Sequence, residues 1–573
     1  MFNKFPQIFC IRKVYSIDKR IYTFIYLLLF SIQSLFSQSN IEIHTAKKIY
    51  VADTQFNSIQ SIAIYHGNII FAGNLDDAKI AYPKASIINH KGYLYPGFID
   101  AHCHFLAHCR GTKELNLYDI SSPEKIGKLA KKFAKKNKRD WVIGRGWDQN
   151  LWPTKEFPSK SLLDKYVSKK AICLSRVDGH AIWVNSKALE ILKLNLDTLI
   201  IGGEIIKDNQ GKATGIFIDN AADWIKDKIP QLDESILNQA VSKELKTCYS
   251  NGLTTLDEAG LDMSEIEYIN RLQQSGIMKM RIYAMMMFNE KSIQNATKYH
   301  EYYDGNMLNV RSMKFYLDGA LGSRGALMKN DYCDRNGHHG LQLLDMNTFD
   351  LWCSQLLANN YQVCVHAIGD SANSLVIKSF KKFIPKDFDA RWRIEHAQIV
   401  SPKDLKTLKE YSIIPSVQPT HATSDAPWAL DRICVDSNNL KKNPKFYNPI
   451  AGAYAYKNLL NAAGSIALGT DFPVEQISTL ATFYAATQRR DIGGKLVNSF
   501  LPKQALTPKQ TLLGMTLWAA RSNFEDRRKG SLEVGKLADF IEIDTDIITA
   551  LPIQIQKAKI VKTYINGDLV WQK

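Results

Sequence analysis

Two histidines stand two residues apart in "LYPGFIDAHCHF", where an apolar run ends at His102, Cys103 and His104. Imidazoles presented on one face can hold a divalent cation through their neutral ring nitrogens. Histidines close two later apolar runs, His366 in "VCVHAIGD" and His396 in "RIEHAQ". Asp471 closes "IALGTDFP", and Lys314 lies in "MKFYLDGALGSRGAL". One histidine at the end of a strand-like run says little. Four of them with a carboxylate, in the order His-x-His, Lys, His, His, Asp, form a donor set suited to zinc or a similar divalent ion.

Such a set needs a scaffold that brings distant strand ends together. Strand-like runs alternate with helical patterns such as "SANSLVIKSFKKFI" over residues 98–524. Repeated βα units predict a parallel sheet, and this length predicts a closed (β/α)8 TIM barrel whose strand ends converge at one mouth. Residues two apart on a strand point the same way, so His102 and His104 are expected to face the cavity and Cys103 the surrounding helices. Nine strand-like runs are one too many for the barrel. "AICLSRVDGH" is therefore assigned to an insertion after the first barrel strand, about residues 140–245. Residues 39–97 and 525–573 are β-rich, with His66-Gly67-Asn68 and Asn566-Gly567 as hairpin turns. The two ends are expected to pair into one small composite β-sandwich domain.

The chain has 573 residues, 45% hydrophobic and 23% charged, the composition of a globular protein. Its net charge is +16, but the lysines are scattered. The cluster "KLAKKFAKKNKRDW" has apolar residues at helical spacing and reads as a solvated helix face. No nucleic-acid-binding motif accompanies it, so the expected partner is a small-molecule substrate, with a homodimer also compatible. Residues 1–37 carry the basic pair Lys19-Arg20, an apolar run Ile21 to Ile32 and small polar residues around Ser37. That layout predicts a secretory signal peptide, or else an uncleaved N-terminal membrane anchor, the run being shorter than the ~20 residues of a spanning helix. The chain is expected to be exported, periplasmic or secreted, or anchored by this segment. Nine irregularly spaced cysteines are read as mostly free and buried.

The segments "PGFIDAHCH", "VHAIGD", "EHAQ", "GTDFP" and "GSLEVGKLADF" resemble the amidohydrolase superfamily. "GRGWDQNLW", "DGHAIWVNSKAL" and "KFYLDGALGSRGA" resemble its YtcJ-like branch, which includes N-substituted formamide deformylase. The resemblance implies a (β/α)8 barrel with a composite β domain, and metal-dependent hydrolysis, usually of C–N bonds. It carries ligand roles onto His102, His104, His366 and His396, and makes Asp471 both ligand and proton shuttle. Lys314 matches the position at which a carboxylated lysine bridges two metals. The alternatives are an unmodified lysine beside one metal, or an ion pair with Asp318. His180 matches the "DGH" segment, as a contact to substrate or developing oxyanion or as a structural loop residue. Arg324 in "LGSRG" is a candidate for a substrate carbonyl or carboxylate, with a salt bridge as the alternative. His421 and Asp425 in "QPTHATSDAPW" are expected to line the pocket. Trp147, Asp148 and Trp152 are read either as a lid or as packed insertion core, and His338-His339 as a surface loop. A deaminase or an ester or lactone hydrolase on the same scaffold remains open, as does an exported metal- or ligand-binding protein without turnover.

Overall fold

Alternation of apolar and polar residues builds three sheets, and the chain passes between them in a fixed order. A computed structural model describes residues 40–136, 139–230, 232–433, 448–496 and 498–573. The expected leader, residues 1–37, lies outside them. No helix among the described residues is long and apolar enough to cross a membrane.

The first sheet joins both ends of the chain. Its eight strands come from residues 42–96 and 540–572, and Tyr93–Pro96 pairs antiparallel with Phe540–Ile543 at the junction. The expected composite domain thus forms from both termini, its strands hydrogen-bonded into one sheet in which Glu42–Tyr50 has three neighbours. Glu42–Tyr50 pairs first with Ser86–Asn89 and, beyond an irregularity in its register, with Tyr93 and Leu94. Both expected hairpin turns form. His66 and Gly67 have φ of 47° and 77°, and Asn566 and Gly567 have 54° and 76°, the paired left-handed residues of a tight hairpin. The sheet is keyed to the barrel by Arg281, whose Nε and Nη2 reach the two oxygens of Asp539 at 2.6 and 2.8 Å.

The second sheet is the insertion. Its six strands run from Leu115–Asn116 to Ala213–Asp219 and include Ala171–Arg176, the surplus strand-like run. The expected span of 140–245 needs correction at both ends. Leu115 pairs in parallel with Gly144, which pulls the start back. The helix Glu234–Ser250 packs its Leu237, Val241, Leu245 and Cys248 into the barrel's own apolar cluster, which removes the last part. Lys128, Lys131, Lys132, Lys135 and Lys136 on the helix Pro123–Lys136 are exposed, as a solvated face requires.

The third sheet has eight parallel strands: β1 (Phe98–Cys103), β2 (Leu253–Leu261), β3 (Arg281–Met287), β4 (Leu308–Tyr316), β5 (Gln362–Ala367), β6 (Arg393–His396), β7 (Ile414–Val417) and β8 (Ala467–Leu468). The outer helices cover it with apolar faces. Met263–Gln274 opens with the capping box Asp262–Glu265 and buries Ile266, Ile269 and Leu272. Cys103 is fully buried beside β2, its Sγ 3.5 Å from the Asp257 carbonyl, in the apolar cluster that also holds Cys248. Among the described residues six cysteines are free and buried, and Cys333 is disulfide-bonded.

One buried polar chain crosses the composite sheet. His44 Nδ1 lies 3.0 Å from His90 Nε2, and His90 Nδ1 lies 2.8 Å from Glu542 Oε2. Burial, then His90 and Lys562, pull the pKa of His44 down to about 3. A histidine with a depressed folded pKa is protonated first in the unfolded chain, so its effect is absent above about pH 6.5 and costs stability as pH falls below it. The unfolding free energy should therefore drop by about 2 kcal/mol more between pH 7 and pH 5 in the wild-type chain than in His44→Gln. Denaturant titrations at the two pH values check this, and equal losses in both proteins would contradict it.

Candidate metal centre

The strand ends that carry the polar residues meet where β8 returns to β1. The Asp471 amide donates to the His102 carbonyl at 2.7 Å, and the His104 amide donates to the Phe472 carbonyl at 2.8 Å. Asp100 accepts from Thr470 twice, from its amide at 2.9 Å and its hydroxyl at 2.6 Å. A side chain at Gly469 would put Cβ 2.5 Å from the His102 nitrogen, so only glycine lets the strands approach this closely.

This seam brings the ligands together. His104 Nε2 lies 3.2 Å from Asp471 Oδ1, and His102 Nε2 lies 3.7 Å from the same oxygen. His421 Nε2 lies 3.7 Å from Asp471 Oδ2. Two triads result, His102–His104–Asp471 and His396–His421–Asp471, each with its donor atoms within 4.8 Å of one another. Asp471 belongs to both. His421, expected only to line the pocket, stands among the candidate ligands. His366 is not in either triad. Its ring meets that of His396 edge-on, centroids 4.5 Å apart, and its Nε2 lies 3.4 Å from the Gly319 carbonyl.

The donor chemistry fits a divalent cation. Asp471 Oδ1 and His421 Nε2 are buried and take no hydrogen bond, His102 and His421 standing 3.7 Å from the carboxylate oxygens. Burial pulls His102 down to about 4, and holds His366 and His396 well below the usual histidine value, so these rings are neutral at pH 7. Burial also pushes Asp471 up, but His104, His102 and His396 outweigh it and keep the carboxylate ionised. Neutral imidazoles around an anion are the state a zinc-like ion binds.

The rings are aimed by partners behind them. His102 Nδ1 donates to Glu395 Oε2 at 2.5 Å, and His396 Nδ1 donates to Gln418 Oε1 at 2.7 Å. Each bond leaves Nε2 for the centre. Glu395 is held in turn by Arg393, Nε to Oε1 at 2.7 Å and Nη2 to Oε2 at 3.1 Å. Arg393 Nη1 also reaches Asp257 and Asn523, both at 3.0 Å. Burial would raise Glu395, yet Arg393 and His102 hold it well below the carboxylate range. Glu395 and His396 are neighbours in sequence and both reach the centre. His396 sits at φ 71°, outside the strand conformation, which breaks the alternation of faces.

Lys314 is buried, with Nζ 3.2 Å from His102 Nε2 and 4.7 Å from the centre of the Tyr316 ring. Burial pulls its pKa down to about 8. Its alternative ion pair with Asp318 is not formed, because that carboxylate accepts the amides of Ile368, Gly369 and Leu327 at 2.8–2.9 Å.

The remaining candidates divide. His180 reaches the centre, its ring 5.0 Å from that of His366. Asp425 accepts from the Tyr454 hydroxyl at 2.8 Å beside His421, and burial pushes its pKa up to about 7. Asp148 accepts from Arg176 Nη2 at 2.5 Å, so its carboxylate is already paired. Arg324 is corrected from substrate contact to salt bridge. Its Nε and Nη2 face the two oxygens of Asp334 at 3.1 and 3.0 Å. Trp147 is corrected from lid to core. It is fully buried, stacks against Trp152 and donates its indole N–H to the Leu174 carbonyl at 2.8 Å. His338 packs inward rather than lying free in a surface loop, its Nε2 donating to the Arg324 carbonyl at 2.8 Å. Glu395, Arg393 and Gln418 were not singled out from sequence. Their signal is a charged or amide side chain inside a strand-like run, in "RWRIEHAQ" and "SVQP".

Known proteins share sequence and fold with this chain over most of its length. The model of the amidohydrolase family matches residues 90–571. YtcJ of Bacillus subtilis, named as an amidohydrolase, is 28% identical over 535 residues, covering 92% of this chain and 98% of that protein. N-substituted formamide deformylase of Arthrobacter pascens is 20% identical over 546 residues, covering 92% and 97%. The crystal structure of an uncharacterized metal-dependent hydrolase from Pyrococcus horikoshii shares the fold, with a TM-score of 0.70 at 23% identity, covering 89% of this chain and 99% of that one.

The carboxylate behind His102 sets the strength of the centre. Glu395→Gln should weaken divalent-metal binding by roughly 10- to 100-fold. Competition against a chelator of known affinity measures this, and an unchanged affinity would count against the role of Glu395.

Proposed function

This chain belongs to the amidohydrolase family, and from that premise we propose that it hydrolyses a C–N bond, an amide or a close relative, in a small-molecule substrate. A hydrolase of the amidohydrolase type follows from the family match and the relatives. The observation that carries the C–N reading is Asp471, an ionised carboxylate shared by two histidine triads, with one buried oxygen free of hydrogen bonds.

His102, His104, His396, His421 and Asp471 would hold one or two divalent ions, zinc foremost, with His366 and Lys314 beside them. A divalent ion bound there supplies positive charge that polarises a carbonyl and makes water a stronger acid. Asp471 takes the proton of the attacking water and returns it to the leaving nitrogen. The nitrogen needs that proton because an amide anion is a poor leaving group. His180 approaches the carbonyl oxygen from the insertion, above His366. Lys314, with its lowered pKa, is neutral in a sizeable fraction of molecules near pH 8, and a neutral amine is the form that adds CO2 to become a carbamate. The basic and apolar run at residues 19–32 and the disulfide at Cys333 support a place outside the cytoplasm.

A screen of N-formyl and N-acyl compounds, read by release of the free amine, tests the reaction. Asp471→Asn should lose about 100- to 10,000-fold in kcat on any compound turned over. Near-normal hydrolysis by Asp471→Asn would remove the proton-shuttle role. Ammonia release from aminated rings, without amide cleavage, would replace the amide reading with deamination.

A further inference from the structure

His180 is held by a residue that no motif marked. Its Nδ1 donates to Asp219 Oδ1 at 2.7 Å, and the Asp219 amide donates to the His180 carbonyl at 2.7 Å. The two residues sit at adjoining ends of paired antiparallel strands, Ala181–Val184 and Ala213–Asp219. Among the described residues, His180 Nε2 takes no protein partner, and the ring faces His366 at 5.0 Å.

Asp219 occupies a place that stability alone would not select. It is 3% exposed, its φ is 52°, and its Oδ2 is buried without a hydrogen bond. A non-glycine residue at positive φ, with an unsatisfied buried oxygen, costs folding free energy twice. The neighbouring loop is shaped around this carboxylate. A Cβ at Gly319 would lie 2.5 Å from both Asp219 oxygens, and a Cβ at Gly325 would lie 2.6 Å from Oδ2. The two glycines are bonded to each other, Gly319 amide to Gly325 carbonyl at 3.2 Å. The Gly319 carbonyl in turn faces His366 Nε2. Gly319 and Gly325 of "DGALGSRGA" therefore make room for a carboxylate from the insertion, against a loop that also touches a candidate ligand.

We propose that Asp219 is a positioning residue for hydrolysis: it fixes His180 by Nδ1, so that Nε2 is the atom presented to the substrate above His366. This rests on the C–N hydrolase reading for the identity of the substrate, but the geometry of the pair can be tested without it. An asparagine at 219 can donate as well as accept, so it can turn the ring to the other tautomer while filling the same volume.

Two measurements on the full chain decide the matter. The first is nitrogen-15 imidazole NMR on histidine-labelled protein, with His180 assigned through His180→Gln. The wild-type protein should show a protonated, hydrogen-bonded Nδ1 at His180. That signal should be lost or moved in Asp219→Asn, and also in Gly325→Ala, which presses on Oδ2. A wild-type His180 protonated only at Nε2, or a signal indifferent to both substitutions, would overturn the proposal. The second is a double-mutant comparison with the compound turned over. Asp219→Asn should lower kcat by roughly 10- to 100-fold with KM and bound metal little changed, and adding it to His180→Ala should cost nothing further. Losses that multiply, or that follow bound metal, would overturn it. If no compound is hydrolysed by the wild-type chain, the C–N reading fails while the NMR result still stands or falls on its own.

Discussion

The hydrogen bond from the Asp471 amide to the His102 carbonyl, 2.7 Å long, closes the barrel at the point where its chemistry is held. β8 is only two residues long, so a regular ladder to β1 is not what joins them. The join is made by loop residues beyond the strand: Thr470 on Asp100, Asp471 on His102, and Phe472 on His104. The last two of these contacts also fix residues of the candidate metal centre, His102, His104 and Asp471. Closing the fold and assembling the donor set are thus one event. Gly469 is the permissive element, since any side chain there would hold the strands apart.

Below the seam the barrel interior is ionic where an apolar plug would be cheaper. Arg393, Glu395 and Asp257 are wholly buried and satisfy one another with Asn523 and Ser416. A buried ion pair seldom adds net stability over a well-packed apolar core. What it adds here is direction: a fixed carboxylate behind His102 sets the tautomer and aims Nε2. The insertion repeats the device from the other side, with Asp219 behind His180. The barrel and the insertion each contribute a histidine backed by a buried carboxylate. His396, Asp471 and Asp219 are among the non-glycine residues held at positive φ.

Much of this was legible in the order of residue types. His102, His104, His396 and Asp471 end strand-like runs, and two hairpin turns carry residues that accept positive φ. Other features depend on partners far away in the chain. The insertion starts at a two-residue strand, Leu115–Asn116, too short to give a periodic signal. The helix Glu234–Ser250 has the same pattern whether it covers the insertion or the barrel. Residue type leaves Trp147 as either lid or core, and only its burial and its bond to Leu174 place it in the core. Glu395 was hidden by alternation, which lets one of two adjacent residues face inward until His396 leaves the strand conformation. His421 reached a triad on the six-residue helix Pro419–Ser424, too short to give a periodic signal.

The central claim is that this seam holds a divalent ion on which hydrolysis depends. The most direct measurement strips metal from the purified chain, titrates zinc back, and follows bound metal and amine release from an N-acyl or N-formyl substrate together. Turnover should be lost on stripping and return in proportion to the ion bound. Full turnover by the metal-free chain, or tight zinc binding that restores none, would contradict it.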